Sequence, residues 1–330
     1  MNHHRRQSLT HIATGALAAV ALYWVLPAAA QERWPAKPVR IVVPFSPGGA
    51  TDVVARMAAQ KLSLLWGQPV VVENRTGAGG NVGADLVAKS PADGYTLLMA
   101  SGSITINPHL YKNMPFDTVK DLVPITNVAS GPMLVVVPDS SPARTLKDLI
   151  AMVKARPGVV NFGSSGVGSQ VHLAAENFAE AAGLDIAHVP YKGEAPAYTD
   201  LIGGQTQMMV GNFAAASALL GPGRLRALAV TARQRSPQLP DVPTATEAGL
   251  PGFENYGWFG LLAPAGTPAA VLARVQRDTA AVLAETETKA RLYVQGMTGV
   301  GSSSAEFSLQ MQAELLRWGT VVKNRKLTSN

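Results

Sequence analysis

The chain has 330 residues, of which 47% are hydrophobic and 15% charged, so it can bury a substantial core and is not a generally disordered protein. It contains no cysteine, which excludes a disulfide framework, a thiol nucleophile and a zinc–thiolate site. The formal charge is +6, from 28 Lys and Arg against 22 Asp and Glu, so nucleic-acid binding has to be judged from where the charge lies.

The first thirty residues have the composition of an export signal. They contain Arg5 and Arg6, no acidic residue, an apolar stretch at 12–25 and small residues at 28–30. A basic start, a short apolar run and an A-x-A site predict a signal peptide, residues 1–30, that is cleaved after Ala30. An uncleaved membrane anchor is the alternative, and the arginine pair leaves general and twin-arginine export open. Cleavage would remove two units of the net charge of +6 and leave an exported protein of the periplasm.

The mature chain alternates short apolar runs with helical patterns. The runs are rich in β-branched residues and are bounded by glycine or proline. Strands that are buried on both faces have this pattern, which predicts mostly parallel sheets covered by helices. The predicted strands are 39–44, 70–73, 96–100, 134–138, 160–162, 187–189, 208–210, 227–231 and 258–263.

Helical patterns lie between these strands. After Thr51, apolar residues recur with the spacing of one helix face. The alternation predicts the α/β class with doubly wound sheets. Capping spacings and one Thr-Pro pair predict further helix starts. These are Thr145 with Asp148, Thr244 with Glu247, Ser303 with Glu306, and Thr267 with Pro268.

A chain of this length is expected to form two domains. Segment 128–132 would be one crossing between them and segment 252–257 the return. The first domain would then be discontinuous, with residues 31–130 and 256–330, and the second would span 131–255.

Common catalytic patterns are missing. Segment 163–169 lacks the lysine of a phosphate-binding loop, 77–82 lacks the third glycine of a dinucleotide fingerprint, and no serine lies in a G-x-S-x-G elbow. His109, His172 and His188 are far apart in the chain, and no H-E-x-x-H helix is present. The basic residues are not striped with aromatic ones, which argues against nucleic acid. We therefore expect no catalytic residue, no metal and no cofactor.

Two glycine-rich loops instead indicate anion binding. The first, 44–52, reads PFSPGGATD, and the second, 161–172, reads NFGSSGVGSQVH. Glycine lets the backbone approach a ligand closely, and the following helix directs its free N–H groups and positive dipole end at the loop. Amide and hydroxyl donors suit a carboxylate, and a third glycine-rich segment, 76–81, follows the same pattern. Ordinary strand-to-helix turns are the alternative.

Four side chains near the loops have two interpretations each. His172 either reaches the ligand or is a buried histidine with satisfied hydrogen bonds. Tyr191 and Lys192 either line a cleft or are a packing residue and a surface residue. Asp52 either stabilises a helix start through the dipole or binds a ligand amine or a water.

Collinear motifs along essentially the whole mature chain carry a family resemblance. They are VPF at 43–45 with PGGATD at 47–52, VENR at 72–75 with GAGGN at 77–81, DGYTL at 93–97, NP at 107–108, GSSG at 163–166 with HLA at 172–174, HVPYKG at 188–193, RALAVT at 226–231 and WFGLLAP at 258–264. These segments resemble the Bug receptors, the periplasmic solute receptors of tripartite tricarboxylate transporters. The resemblance implies the type II periplasmic-binding-protein fold, in which two α/β domains close over a ligand by a hinge motion.

The resemblance also implies the ligand and the partners. Loops 45–52 and 164–169 would hold one carboxylate of a di- or tricarboxylate or an aromatic acid, and membrane transporter subunits would receive it. We expect a monomer. Many relatives carry Asp where this chain has Gly211, so the ligand is expected to lack an amino group. The predicted ligand-binding residues are Phe45, Gly48, Gly49, Thr51, Asp52, Ala78, Gly79, Ser101, Ser164, Ser165, Gly166, Ser169, His172, Tyr191, Gly211 and Asn212.

Two other functions stay open at this point. A solute sensor that docks onto a signalling partner would have the same fold. An exported hydrolase or lyase would use Ser165 or His172, and turnover of the acid would distinguish it from a receptor.

Overall fold

The computed structural model describes residues 34–329, so the predicted signal peptide and its cleavage site lie outside the described residues. Contacts within the chain divide it into two units, Met1–Ala36 and Lys37–Asn330. The second unit contains every helix and strand that the structure describes.

All nine predicted strands are present, with small differences at their ends. The fourth begins twelve residues earlier than predicted, because it continues through Pro124 and through the Gly131-Pro132 pair of the predicted domain crossing. A tenth strand of two residues was not predicted. The strands are β1 Val39–Val43, β2 Val70–Asn74, β3 Thr96–Ser101, β4 Leu122–Pro138, β5 Asn161–Ser164, β6 Ala187–Pro190, β7 Met209–Asn212, β8 Leu225–Val230, β9 Tyr256–Pro264 and β10 Thr298–Gly299.

Helices separate most of these strands, as the α/β class requires. They are α1 Ala50–Trp66, α2 Asn81–Ala88, α3 Ser103–Leu110, α4 Leu146–Lys154, α5 Gln170–Ala182, α6 Glu194–Ile202, α7 Phe213–Ala216, α8 Ala269–Ala284, α9 Thr286–Val294 and α10 Ser304–Arg325. Short 3₁₀ turns precede α2 and follow α7.

The predicted helix starts are confirmed in two of four places. Capping boxes open α4 and α10, where Thr145 and Ser303 each exchange hydrogen bonds with an acidic residue three positions later. Thr244 makes the same exchange with Glu247, but a turn rather than a helix follows. The helix after Pro268 begins one residue later than predicted, with the proline itself at the capping position.

The strands form one mixed sheet and one small parallel pair, which corrects the prediction of mostly parallel sheets. The large sheet has the order β10-β4-β9-β3-β1-β2, with β7 and β8 also on β4, and β5 pairs with β6. Pairing is parallel only among β1, β2 and β3 and between β5 and β6. The other pairs are antiparallel, because β9 lies between β3 and β4 in the opposite direction and β4 runs against β7 and β8.

The long strand β4 changes its partners along its length. It pairs with β9 as far as Pro132, and from Met133 onward it pairs with β7 and β8. Separate apolar cores lie on the two sides of this change, one around Val42 and Leu98 and the other around Phe162 and Phe178. The predicted domain boundary after residue 130 falls within β4, and the one after residue 255 falls at the start of β9. Both domain boundaries stay a prediction.

The fold directs three glycine-containing loops toward one region. The ends of β1, β2 and β5 lead into α1, α2 and α5 through the segments 44–49, 75–80 and 165–169. Across residues 34–329, no helix combines the length and the apolar content that crossing a bilayer requires.

Candidate functional site

The first loop is shaped from within by Asp52. One oxygen of its carboxylate accepts hydrogen bonds from the Gly48 N–H at 3.0 Å and from Arg56 at 2.8 Å, and the other accepts one from Asn74 at 2.9 Å. Burial raises the pKa of Asp52, but the hydrogen bonds from Arg56, Gly48 and Asn74 outweigh it, so the net pKa is lowered. Gly48 has a φ of +82°, which glycine adopts without strain. Asp52 is therefore a charged group that fixes the loop, and its oxygens are already bonded.

A side chain of the protein occupies the start of α1. Gly49 precedes the helix, and the backbone N–H of Ala50 donates to Glu194 Oε2 at 3.0 Å. The other oxygen, Oε1, accepts the Asn212 N–H at 2.9 Å. Burial raises the pKa of Glu194, and the hydrogen bonds from Ala50 and Asn212 oppose that rise. The expectation that α1 offers free N–H groups to a ligand is therefore wrong for Ala50; neighbouring Thr51 is buried.

No side chain would fit at position 211, because Tyr198 fills the space beside Gly211. A Cβ at this position would lie 1.9 Å from the Tyr198 hydroxyl, which is buried and has no hydrogen-bond partner among the described residues. From the sequence we expected that glycine at position 211 leaves the end of β7 without a carboxylate. That premise is wrong, because Glu194 brings a carboxylate to the N–H of Asn212.

The second loop is held by its own serine side chains and by His188 of the neighbouring strand β6. Ser164 Oγ accepts the Gly166 N–H at 3.0 Å and lies 2.5 Å from Nε2 of His188. Ser169 Oγ accepts the His172 N–H at 3.1 Å and thereby caps α5. Ser164 and Ser169 therefore fix the loop, whereas Ser165 lines a cavity.

His172 lies in a stack of rings rather than at a reactive serine. Its ring is 3.9 Å from that of His188, which also stacks on Phe162 at 4.9 Å. Nδ1 of His172 accepts the Gly168 N–H at 3.2 Å, and Nε2 lies 3.5 Å from Glu176. Both nitrogens thus have partners other than a serine. Burial and the neighbouring His172 lower the pKa of His188 to about 3, so this ring is neutral in the folded protein.

One cavity of about 570 Å³ brings the loops together. Its walls come from all three glycine-containing segments and from the segment that joins β6 to α6. Six predicted site residues line it, namely Phe45, Ala78, Gly79, Ser165, Gly166 and Tyr191, together with Gly77, Gly80, Tyr111, Val167, Pro190, Lys192 and Pro196.

Two tyrosines of the cavity wall are fixed by hydrogen bonds, and one lysine of the wall is not. Tyr111 donates a hydrogen bond from its hydroxyl to the carbonyl oxygen of Val167 at 3.1 Å. The Tyr191 hydroxyl donates to Asp200 at 2.8 Å, and burial together with Asp200 raises its pKa to about 12. Lys192 is exposed, and among the residues that the structure describes no carboxylate lies within ion-pair distance of it. The cavity therefore offers a free ammonium group, a serine hydroxyl and glycine backbone, which together suit a small organic anion.

The remaining predicted residues lie outside this cavity. Ser101 is buried with its Oγ 3.2 Å from that of Ser103. Asn212 accepts a hydrogen bond from Gln170 at 3.1 Å. Gln170 in turn lines a second cavity of about 460 Å³, together with Trp258 and with Gln310, Glu314, Arg317 and Trp318 of α10. None of the predicted residues lines this second cavity.

Sequence analysis missed Glu194, Tyr111 and Tyr198. Glu194 directly follows the HVPYKG motif at 188–193 but had no signal of its own, since its partner Ala50 is 144 positions away. Within residues 34–329, no group of three or more His, Asp or Glu side chains is arranged to hold a metal ion.

Comparisons with known proteins agree on one family. The model of the tripartite tricarboxylate transporter family receptor matches residues 54–327. BugT of Bordetella pertussis is 40% identical over 294 residues, which are 88% of this chain and 90% of that protein. The structure of R. palustris Rpa4515 with adipate has a TM-score of 0.86 at 38% identity and covers 89% of this chain and 99% of that one. The periplasmic binding protein BugD has a TM-score of 0.85 at 33% identity, with 89% and 99% covered. These likenesses confirm the predicted binding-protein fold.

Proposed function

Because this chain belongs to the tripartite tricarboxylate transporter receptor family, we propose that it captures a small organic acid and delivers it to the membrane subunits of such a transporter. The observation that carries this proposal is the cavity where three glycine-containing loops meet beside Lys192. The adipate-bound relative supports a carboxylate as the ligand. The protein is proposed to bind the acid without changing it.

The ligand carboxylate is proposed to lie against Ser165, Gly166 and Lys192. Glycine backbone permits close approach, and the ammonium group of Lys192 supplies the opposite charge. Phe45, Ala78, Gly79 and Tyr191 would contact the rest of the acid. Gly48, Gly49, Thr51, Asp52, Ser101, Ser164, Ser169, His172, Gly211 and Asn212 would act indirectly, by holding the loops and helix starts in place.

Residues 31–130 with 256–330, and residues 131–255, are proposed to be the two domains of the receptor. The change of partners along β4 supports a hinge near Pro132, with the start of β9 as the second connection. In the described structure the first loop and the 190–196 segment already meet, since the Ser46 N–H donates to the Lys192 carbonyl oxygen at 3.0 Å. This contact is proposed to belong to the closed form, and opening at these strands would separate the two segments and admit the ligand.

The receptor is proposed to act in the periplasm as a monomer, after removal of residues 1–30. The leader composition and the periplasmic relatives support this location. A solute sensor would use the same binding site but would dock onto a signalling partner. Crosslinking in whole cells distinguishes the two roles, since a transport receptor should capture transporter subunits and a sensor should capture a signalling protein.

A thermal-shift screen of the exported protein against organic acids tests this function. A ligand present at about 100 times its Kd stabilises the native state by about 2.7 kcal/mol, which corresponds to roughly 5 °C or more in a protein of this size. At least one acid of a panel of mono-, di- and tricarboxylates and aromatic acids should give that shift and be recovered unchanged. No shift with any acid, or conversion of the acid, would contradict the proposal.

A further inference from the structure

The carboxylate of Glu194 occupies a position that is built for an anion. The Ala50 N–H at the start of the 17-residue helix α1 and the Asn212 N–H at the end of β7 donate to its two oxygens at 3.0 and 2.9 Å. The positive end of the helix dipole adds to these two donors. Glu194 is 4% exposed, and no Lys or Arg ion pair of the described residues includes it.

A second polar group is buried beside this carboxylate without a partner. Tyr198 lies one turn after Glu194 on α6 and is 1% exposed, and its hydroxyl has no hydrogen-bond partner among the described residues. It fills the place of a side chain at Gly211, next to the Asn212 amide that Glu194 binds. Two N–H groups and one hydroxyl are therefore grouped around a single anion position. The Glu194 carboxyl group accepts from both N–H groups, and the Tyr198 hydroxyl has no acceptor among the described residues.

This position lies beside the cavity. Lys192 and Pro196, on either side of Glu194 in the chain, are part of the cavity wall, and Phe45 of the first loop is another part. Gly49 lies against the Glu194 side chain, with its Cβ position 3.6 Å from Oε2. If Glu194 were absent, the Ala50 and Asn212 N–H groups would lose their carboxylate partner and could bind the second carboxylate of a diacid whose first carboxylate lay at Ser165 and Lys192.

We infer that Glu194 determines specificity by occupying this anion position, so that the receptor takes acids with one carboxylate and rejects a second carboxylate at the start of α1. The inference rests on the proposed function and names the substrate class of the same cavity. A second carboxylate would find both N–H groups already bonded to Glu194 and would be buried there without donors of its own. An amide or hydroxyl at that end carries no charge and can donate a hydrogen bond to Glu194.

Titration calorimetry with a matched pair of acids tests this inference. Adipate and its monoamide have the same length and differ in one charged end. The wild-type protein should bind the monoamide at least tenfold more tightly than adipate. Glu194→Ala frees both N–H groups and should raise the affinity for adipate. The ratio of the adipate affinity to the monoamide affinity should therefore rise at least tenfold over the wild-type ratio.

Two further variants keep the outcome decisive. Glu194→Gln preserves the size of the side chain but replaces one acceptor oxygen with an amide group that cannot accept, so one of the two N–H groups is freed. It should therefore shift the ratio in the same direction if the alanine variant does not fold. Glu306→Gln is the matched control, because this glutamate also accepts a backbone N–H, that of Ser303, at a helix start but lies on the surface at α10. It should leave the ratio at the wild-type value.

The results separate this inference from the function on which it rests. Wild-type protein that binds adipate as tightly as the monoamide, or a ratio that Glu194→Gln and Glu194→Ala leave unchanged, would overturn the specificity role alone. Binding of neither acid, nor of any other acid, to all of the proteins would overturn the proposed function and this inference together.

Discussion

Gly79 approaches Val167 so closely that no other residue fits. A Cβ at Gly79 would lie 2.0 Å from the Val167 carbonyl oxygen, and Gly79 has a φ of +62°. The third and second glycine-containing segments therefore touch through backbone alone. This contact forms one wall of the cavity.

Gly79→Ala should weaken ligand binding at least tenfold, because the two segments must separate to admit the methyl group. The left-handed conformation and the clash together should lower the free energy of unfolding by about 1–3 kcal/mol. Calorimetry with the best acid of the panel and urea unfolding measure the two effects.

Gly67→Ala is the matched control for this change. Gly67 has a φ of +63°, but nothing lies within 4 Å of its Cβ position. The variant should therefore lose about 1–2 kcal/mol of stability through backbone strain alone and keep its affinity. Equal affinity losses in both glycine variants would show that the Gly79–Val167 contact has no special part in binding.

Much of this cavity follows from local sequence, and the part that does not depends on long-range packing. The loops after β1, β2 and β5 were predicted because glycine follows an apolar run and precedes a helical pattern. The place of Glu194 was not, since its bond to Ala50 joins residues 144 apart and leaves no periodic signal. The same holds for Tyr198, which fills the space at Gly211 from another element.

In the fold, too, the features that follow from local sequence were predicted and those that depend on long-range pairing were not. Short buried strands such as β1 and β3 were predicted from their apolar runs, and their parallel pairing was correct. The antiparallel placement of β9 was not predictable from an apolar run, because such a run shows burial on both faces but not direction. The first half of β4 was missed because Pro124, Gly131 and Pro132 interrupt its pattern.

Lys192→Gln should lower the affinity for a monocarboxylate by about two- to fivefold, because it removes an exposed counter-charge from the cavity. The loss should shrink as NaCl is raised from 20 to 500 mM, since salt screens an exposed charge. Lys154→Gln, at the end of α4, should change neither quantity. A salt dependence that is identical in the wild type and in Lys192→Gln would contradict a role for this ammonium group.

His188 should make the protein less stable in acid. Its pKa is about 3 in the folded state against an ordinary value of 6.5, so the unfolded chain binds a proton more readily between these values. The contribution is complete above about pH 6.5 and is lost as the pH falls toward 3. Between pH 7 and pH 5 it should reduce the free energy of unfolding by about 1–2 kcal/mol.

Urea unfolding of His188→Phe at the two pH values measures this contribution. The phenylalanine ring keeps the stack on Phe162 but does not titrate, so the variant should lose less stability between pH 7 and pH 5 than the wild type. His109→Gln, a change at an exposed histidine, should behave as the wild type. The same loss in His188→Phe and in the wild type would exclude His188 as the source.

The position of the bound acid is the decisive observation, and a crystal structure of the exported protein with the most stabilising acid of the panel provides it. We expect the carboxylate in the cavity lined by Ser165, Gly166 and Lys192, with Glu194 still bonded to Ala50. An acid found instead in the second cavity, beside Gln170 and Trp258, would contradict the proposed site.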